Sequence, residues 1–325
     1  MRLLQALPME ARSRPALPDG SGWWYEPKWD GFRCLAFKAG PTVELVAKSG
    51  KLLNRFFPEV VERLKALPDD VFGIDGELLA RDGDMFSFEV LQARLHPAET
   101  RIQRLSRETP AVFALFDMVE DVDGADLRPL PWSQRHRRLT RFLRRHQTPD
   151  LTLTPGTDDL ALAEGWLADG RLEGVVAKSV EGPYLEGERA MIKVKRARTA
   201  DCVVGGFRYA SSGRVVGSLL LGLYDDQGRL NHVGHASGLA SVDKVELTRE
   251  LEALRGGEGF TGRAPGGPSR WSTERSSAWE PLRPELVVEV GFDQVSDNRF
   301  RHGARLVRRR PDKAPGQCRM EQLRT

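Results

Sequence analysis

A change of pattern near residue 200 is the feature that most limits how this chain can fold. Before it, short apolar segments bounded by Gly, Asp or Pro alternate with amphipathic helical patterns. The segments with strand character are CLAFKA, VELVAK, FGIDGELLA, AVFALFDMV, EGVVAKS and MIKVKR. The helical patterns are FFPEVVERLKAL, PWSQRHRRLTRFLRRH and DLALAEGWLADG, the last with Gly170 as a candidate C-cap. Because strands and helices mix without a strict βαβ rhythm, the pattern predicts an α+β domain.

After the change, short strands dominate. They are DCVVGGFRY, VVGSLLLGLY, LNHVGHAS, ELVVEVGFDQV and GARLVRR, interrupted by one helical pattern, VDKVELTRELEALR, and a Gly/Pro loop, GGEGFTGRAPGGPSR. About five strands with one helix favour a small, partly open barrel such as the OB-fold. We therefore predict two domains, 1–197 and 198–325, joined by a polar hinge at 196–201, RARTAD.

Length and charge agree with this division but say little about partners. The chain has 325 residues, which is long for one hydrophobic core. Its 49 basic residues nearly balance its 46 acidic ones, for a formal net charge of +3. A nucleic-acid partner must therefore be argued from where the charges lie rather than from their sum.

The spacing of the cysteines is typical of a protein from a reducing compartment, and the apolar segments bear on membrane contact. Cys34, Cys202 and Cys318 lie far apart without CxxC spacing, which argues against a disulfide framework or a zinc site. The proline-rich opening MRLLQALPMEARSRPALPDG is predicted to be an extended arm and lacks the continuous apolar region of a signal peptide. No segment is apolar for long enough to span a bilayer, so we expect a cytoplasmic protein without membrane contact.

Lys28 stands out in WYEPKWDGFRCLAF because aromatic and apolar residues surround its charge. A lysine on a solvated face is one interpretation. The other is a nucleophile, which must be neutral when it attacks and so needs surroundings that favour loss of its proton. Arg33 follows in the same segment. Lys193 and Lys195 alternate in MIKVKR and would share one face of a strand, where a polyphosphate could lie between them.

Carboxylates recur beside glycine within apolar segments. Glu77 follows Asp75 and Gly76 in IDGELL, and Glu173 opens EGVVAKS, which also contains Lys178. A carboxylate in an apolar strand costs free energy unless it is paired or binds a metal, although either residue could be a simple turn residue. Phe116 in FALFDM is either a core residue or a ring that stacks on a purine.

The last strongly charged stretch is RFRHGARLVRRRPDK. It is rich in arginine and lysine and contains one aspartate, Asp312; its cations are Arg299, Arg301, Arg305, Arg308, Arg309, Arg310 and Lys313. Leu306 and Val307 interleave with these charges, so a solvated tail is the weaker interpretation. Such a run beside a barrel strand is typical of phosphate contact, and Arg299, Arg301, Arg305 and Arg308 are the candidate contacts with a nucleic-acid backbone.

The order of these elements is more specific than any one of them. EPKWDGFR, AKSG, DGELL, FALFD, LEGVVAKS, IKVKR and RPDK occur in the series seen in the covalent nucleotidyltransferase superfamily. The chain resembles the ATP-dependent DNA ligases, most of all the small bacterial stand-alone ligases of the C type, which are related to the ligase module of bacterial end-joining enzymes. The resemblance runs from Trp24 almost to the end of the chain.

The resemblance implies an adenylation (nucleotidyltransferase) domain followed by an OB-fold domain, and it implies roles at matching positions. Lys28 would attack the α-phosphate of ATP and become AMP-lysine. Glu26 and Phe116 would contact adenine, Arg33 would contact the ribose and the 5′-phosphate side of DNA, and Glu77 would hold the ribose or a metal. Lys193 and Lys195 would bind the α-phosphate, and Arg310, Asp312 and Lys313 would orient the pyrophosphate leaving group. Other arginines of the C-terminal run would contact DNA: Arg299, Arg301, Arg305 and Arg308. The AMP would then pass to a 5′-phosphate at a nick, and the 3′-hydroxyl would displace it.

The same resemblance implies a divalent ion, Mg²⁺ or Mn²⁺, held by Asp30, Glu77 and Glu173. One departure concerns the family element S-R-x-G, which here is Ala47-Lys48-Ser49-Gly50. Lys48 keeps the positive charge for nucleotide binding but loses the bidentate fork of arginine. Met191 replaces a tryptophan found in many relatives, a change expected to affect packing alone.

Two other classes of protein remain open at this level. An RNA ligase or a GTP-dependent capping guanylyltransferase uses the same lysine chemistry, and a non-catalytic OB-fold nucleic-acid binder would need neither Lys28 nor Glu173. For the ligase we expect a nucleoid-associated monomer that acts on nicked double-stranded DNA in repair, with repair or end-joining proteins as candidate partners.

Overall fold

The computed structural model describes residues 6–168, 172–196, 198–211, 213–239, 242–266 and 278–323. The chain separates into two compact units, Met1–Arg196 and Ala197–Thr325, each with its own hydrophobic core. The predicted C-cap Gly170 and the end of the Gly/Pro loop lie outside the described residues. None of the described helices combines the length and apolar character needed to cross a membrane.

The described residues of the first unit form ten strands and five helices. The strands are β1 (Ala11–Ser13), β2 (Trp23–Lys28), β3 (Phe32–Ala39), β4 (Thr42–Ala47), β5 (Val71–Asp82), β6 (Met85–Phe86), β7 (Ala111–Glu120), β8 (Leu151–Leu153), β9 (Gly174–Ser179) and β10 (Met191–Lys195). The helices are α1 (Pro58–Lys65), α2 (Phe88–Gln92), α3 (Glu99–Glu108), α4 (Trp132–His146) and α5 (Leu160–Ala168). A short 3₁₀ turn covers Asn54–Phe56.

Two sheets face each other in this unit. The larger has the order β4-β3-β5-β7-β8 with β6 beside β5, and the smaller has the order β1-β10-β9-β2. Because side chains alternate along β3, Leu35 and Phe37 pack with Met191 of β10 and with Tyr184, which lies between β9 and β10. Cys34 points to the other face of the larger sheet and packs in the core there. The space between the sheets therefore receives every second side chain of the central strands.

Helices cover the outer faces of both sheets. Leu139 and Phe142 of α4 and Leu64 of α1 are fully buried against the outer face of the larger sheet. Ala163 of α5 packs over Tyr25 of β2 on the outer face of the smaller sheet. The result is a four-layer α+β unit whose inner, polar side chains lie between the sheets.

In the part of the second unit that the structure describes there are eight strands and one helix. They are β11 (Arg198–Tyr209), β12 (Val216–Tyr224), β13 (Leu230–Ala236), α6 (Lys244–Ala253), β14 (Glu280–Pro281), β15 (Val287–Phe292), β16 (Val295–Ser296), β17 (Arg299–Phe300) and β18 (Arg305–Arg309), with 3₁₀ turns at Pro315–Gln317 and Met320–Leu323.

An antiparallel sheet of six strands, of order β13-β12-β11-β15-β18 with β14 beside β11, curls around the core of the second unit. Its edge strands approach each other where the Ala304 N–H donates to the His235 carbonyl at 2.8 Å. The described strands form no continuous closed ladder, so this is the partly open barrel that the strand pattern predicted.

Several features differ from the sequence prediction, among them the strand β2, which ends at Lys28 and was not predicted. Residues 198–201, predicted as part of a hinge, pair with β15 as the start of β11, because Ala200 and Cys202 are buried in the barrel core. The helices α2 and α3 were not predicted, since α2 has five residues and α3 buries only Ile102 and Ser106. The opening arm is not merely extended, because β1 joins β10 in a parallel pair.

Candidate active site

A cavity of about 200 Å³ lies in the first unit between the two sheets. Most of the first-unit residues predicted to act on nucleotide line it: Glu26, Lys28, Arg33, Lys48, Glu77, Phe116 and Lys193. Residues 8–11 of the opening arm form another part of its wall. Sequence reasoning missed this arm, because nothing in its composition indicates that it pairs with β10.

Lys28 ends β2 and points into the cavity. Its ammonium group donates to the Glu173 carboxylate, which also accepts a contact from Lys195 at 3.1 Å. Glu173 is 8% exposed and immediately precedes β9, where Lys28 pairs with Gly174. One buried carboxylate thus holds two lysines that are 167 positions apart in the chain, Lys28 and Lys195.

Close backbone contacts explain why glycine occupies position 31, after Lys28, and position 174, after Glu173. A Cβ on Gly31 would lie 2.2 Å from the Leu78 carbonyl oxygen, and a Cβ on Gly174 would lie 2.2 Å from that of Val194. Both distances are far below van der Waals contact, so any larger residue would push apart the strands that carry Lys28, Glu77 and Glu173.

Glu26 lies deeper in the same cavity. It is 2% exposed, and its Oε2 accepts from Lys178 at 2.7 Å while its Oε1 is buried without a hydrogen-bond partner among the described residues. Burial raises the pKa of Glu26 to about 7, although the Lys178 ammonium acts in the opposite direction. A carboxyl group in this condition can bind a ligand either as acceptor or as donor.

Lys178 was quoted in the sequence as part of EGVVAKS but was not chosen as a site residue. Its ammonium group also donates to the Phe116 carbonyl at 2.9 Å and lies 4.4 Å from the centre of the Phe116 ring. It is 3% exposed. A lysine within an otherwise apolar strand requires a buried anion, and that signal could have found it.

Arg33 is held rigidly at the wall of the cavity. It forms a bidentate pair with Asp75 at 2.6 Å for each bond, and its guanidinium lies 4.4 Å from the Phe116 ring centre. Tyr184 donates to the same carboxylate at 2.6 Å. Burial alone would lower the pKa of Arg33, but Asp75 outweighs it and the pKa is raised. Asp75 and Tyr184 therefore orient Arg33, a function not predicted from the sequence.

Glu77 follows on the same strand face as Asp75. Burial raises the pKa of Glu77 to about 7, against the lowering effect of Arg33 and Lys28. Lys193, on the facing strand β10, has a lowered pKa because of burial and the neighbouring charges of Lys28 and Lys195. The cavity thus contains carboxyl groups with a raised pKa, Glu26 and Glu77, and an ammonium group with a lowered pKa, Lys193.

The other first-unit predictions lie at the edge of this arrangement. Asp30 is half-buried in the turn between β2 and β3. Lys48 is 60% exposed and contacts Glu10 at 2.9 Å. Within the described residues, no three His, Cys, Asp or Glu side chains form a ready-made metal centre. A Mg²⁺ ion commonly takes one or two carboxylates together with substrate phosphates, and Glu77 and Glu173 fit that donor set.

The predicted C-terminal residues all lie in the second unit. Arg310 and Lys313 contact Asp201 at 2.7 Å and 2.5 Å, and Arg310 also contacts Asp312 at 2.9 Å. Of the candidate DNA contacts, Arg299 approaches His232 Nδ1 at 3.1 Å, Arg301 donates to Gln294 at 2.7 Å, Arg308 donates to Glu289 at 2.6 Å, and Arg305 is exposed on β18.

Comparison with known proteins agrees with both units. The model of the ATP dependent DNA ligase domain matches residues 10–195, and that of the ATP dependent DNA ligase C terminal region matches residues 212–313. DNA ligase C1 of Mycolicibacterium smegmatis is 41% identical over 98% of this chain and 93% of its own length.

The chain belongs to the ATP-dependent DNA ligases.

DNA ligase C of Mycobacterium tuberculosis is 38% identical over 97% of this ligase and 93% of its own length. A solved structure from a study of Lig E DNA ligases has a TM-score of 0.57 at 17% identity, covering 94% of this chain and all of that one, which supports the fold. The α+β adenylation domain and the OB-fold domain are those of this family, as the sequence predicted. The ligase uses ATP and seals nicks in DNA.

Proposed function

We propose that Lys28 is the residue that carries AMP, and that the cavity between the two sheets is the ATP site. The observation that supports this most directly is that Lys28, which shares the Glu173 carboxylate with Lys195, lines the same cavity as Glu26 and Phe116. A nucleophile, phosphate-binding cations and a pocket for the base are thereby collected in one place.

In the first step, Lys28 Nζ forms a bond to the α-phosphorus while the bond from that phosphorus to the bridging oxygen of the β-phosphate breaks. Pyrophosphate leaves, and Lys28 must lose its proton for the attack. Glu173 Oε2 is already in contact with the lysine nitrogen and is the nearest proton acceptor. Lys193 and Lys195 would stabilise the negative charge that develops on the phosphoryl oxygens.

Adenine would lie between Glu26 and Phe116. The unpartnered Oε1 of Glu26 offers a hydrogen-bond partner to the base, and the Lys178 contact keeps that carboxyl in place. Arg33 and Glu77 would contact the ribose, since both line the cavity next to Phe116. Lys48, at the exposed edge, would contribute charge rather than a fixed bidentate contact.

A divalent ion, Mg²⁺ or Mn²⁺, would be held by Glu173 with Glu77 and by phosphate oxygens of ATP, with Asp30 as a further candidate. When bound, the ion would neutralise charge on those phosphates. In the second unit, Arg310, Asp312 and Lys313 would orient the pyrophosphate, and Arg299, Arg301, Arg305 and Arg308 would contact the backbone of nicked duplex DNA.

The decisive experiment is to incubate the protein with ATP or GTP labelled at the α-phosphate, with Mg²⁺, and to identify the modified peptide by mass spectrometry. We expect label from ATP alone, on the peptide containing Lys28. Label from GTP would favour a capping-type activity, and label on another lysine would contradict the assignment.

The substrate and the function in the cell need separate tests. Sealing of nicked DNA should exceed sealing of the same nick in RNA, which distinguishes this proposal from an RNA ligase. A role in DNA repair, association with the nucleoid and a monomeric state stay predictions. Sensitivity of a deletion strain to DNA damage, and light scattering of the purified protein, would test the first and the last.

A further inference from the structure

Asp201, in the second unit, holds both cations of the C-terminal element. Its Oδ1 accepts from Arg310 Nη1 at 2.7 Å, and its Oδ2 accepts from Lys313 Nζ at 2.5 Å. The Asp201 side chain is 10% exposed. Each carboxylate oxygen therefore serves one cation, and the spacing of the two oxygens sets the spacing of the two positive charges.

Asp201 itself has little freedom. It lies in β11 opposite Glu289 of β15, its backbone N–H donates to the Gln322 side chain at 2.9 Å, and its carbonyl accepts from the same side chain at 3.1 Å. Strand pairing and these two bonds fix the backbone that carries the carboxylate. A long arginine and a long lysine are thus tied to a rigid point.

The two cations keep donors available for another anion. Lys313 uses one of its three ammonium protons for Asp201 among the described residues, and its side chain is 24% exposed. Arg310 is 18% exposed and is additionally braced by Asp312 at 2.9 Å. The pair is accessible from solvent, while its position is set from within the barrel.

We propose that Asp201 is a positioning residue for the first step of the reaction. It would hold Arg310 and Lys313 as a preformed pair for the pyrophosphate, without touching ATP itself. Without the Asp201 carboxylate, the positive charges of Arg310 and Lys313 would repel each other. Both flexible side chains would then have to be ordered as pyrophosphate leaves, which costs conformational entropy. This inference rests on the proposed action of Arg310 and Lys313 on pyrophosphate.

The test uses the full-length Asp201→Asn variant, which keeps the shape of the side chain and removes its charge. In single-turnover labelling at saturating ATP, we expect AMP transfer to Lys28 to slow by roughly tenfold, because preorganised charge contributes to one transition state. Sealing of a nick that already carries AMP should stay within about twofold of the wild type, since pyrophosphate is absent from that step.

Glu285→Gln is the control. Glu285 lies in the second unit and pairs with Arg283 at 2.8 Å, with both side chains about half exposed. The variant removes one negative charge from the same unit without removing a contact described for Arg310 or Lys313. We expect it to slow AMP transfer by less than about twofold, as is typical of an exposed ion pair.

Two results would overturn the inference. Equal slowing of AMP transfer and of sealing on the pre-adenylylated nick would mean that Asp201 serves only the fold, and faster AMP transfer would mean that it competes with pyrophosphate for the cations. Should Asp201→Asn unfold, Asp201→Glu keeps the charge and moves it by one methylene. It should slow AMP transfer alone, and equal slowing of both reactions would again contradict the inference.

Arg310→Ala and Lys313→Ala separate this inference from the function on which it rests. If both variants label with AMP at the wild-type rate, the proposed role of the C-terminal element is wrong. If both are slow in labelling while Asp201→Asn is not, that role stands and only the positioning by Asp201 is rejected.

Discussion

Each unit of the ligase ties two cations to one carboxylate, but the two arrangements differ in surroundings. Glu173 holds Lys28 and Lys195 at a cavity between two sheets, whereas Asp201 holds Arg310 and Lys313 at the surface of a barrel. In the first, the lysines end two strands that flank the carboxylate. In the second unit, Arg310 and Lys313 both lie in the segment that follows β18.

This difference separates two uses of the same electrostatic contact. At the cavity, Lys28 is the group proposed to form the covalent bond, so a change there should affect every turnover. At the barrel, the cations are proposed to act only on a leaving group. The following experiments test whether loss of activity divides in this way.

The largest effect should come from Lys28→Ala. Without the nucleophile no AMP-protein can form, so labelling by ATP should be undetectable while the thermal midpoint stays close to the wild type. Lys65→Ala, an exposed lysine on α1, is the control and should label normally. Covalent labelling of the Lys28→Ala protein would remove the basis for the comparison.

Glu173→Gln should have the next largest effect. The amide keeps the shape but removes the charge shared by Lys28 and Lys195 and a proposed ligand of Mg²⁺, so nick sealing should fall by about a hundredfold or more. Glu181→Gln, an exposed position just after β9, should seal normally. Sealing within about threefold of the wild type at millimolar Mg²⁺ would assign Glu173 a structural role instead.

Lys313→Ala should sharpen the contrast between the units. Loss of a charge-assisted contact to pyrophosphate should slow AMP transfer by roughly thirty- to a thousandfold, equivalent to about 2–4 kcal/mol. On a pre-adenylylated nick the variant should seal at nearly the wild-type rate. A clamp on DNA predicts the opposite, namely weaker binding on both substrates with a strong dependence on salt.

The smallest effect concerns stability and pH. Because burial raises the pKa of Glu26 to about 7, the folded protein retains a proton that the unfolded chain releases near pH 4. The free energy of unfolding should therefore fall as pH rises from about 4 to about 7 and then level off. Glu77, with a pKa also raised to about 7, acts with the same sign.

Glu26→Gln removes one of these two contributions. The fall in unfolding free energy between pH 5 and pH 8, measured by urea unfolding, should be smaller in this variant by roughly 1–3 kcal/mol. Asp312 is 61% exposed, so its ion pair with Arg310 should not add a comparable contribution. An unchanged fall in the variant would mean that Glu26 is ionised in the folded state.

Local patterns in the chain were sufficient for the fold class, and most of the first-unit residues that they predicted to act on nucleotide line one cavity. The amphipathic periods of FFPEVVERLKAL and PWSQRHRRLTRFLRRH correspond to α1 and α4, because each presents an apolar face to one sheet. The order of the lysine, carboxylate and C-terminal elements along the chain is specific enough to identify the family. The residue types in these elements can be recognised without the fold, because AMP transfer needs a nucleophile, phosphate-binding cations and carboxylates.

Which side chains pair with the site residues could be determined only from the tertiary structure. Lys178 with Glu26, Asp75 with Arg33, and Asp201 with Arg310 and Lys313 join positions separated by 42 to 152 residues. Which carboxylate meets which cation depends on strand register and on how the sheets stack. A strand pattern has a period of two and determines the face of each side chain, but the opposing strand is chosen by the burial of the whole core.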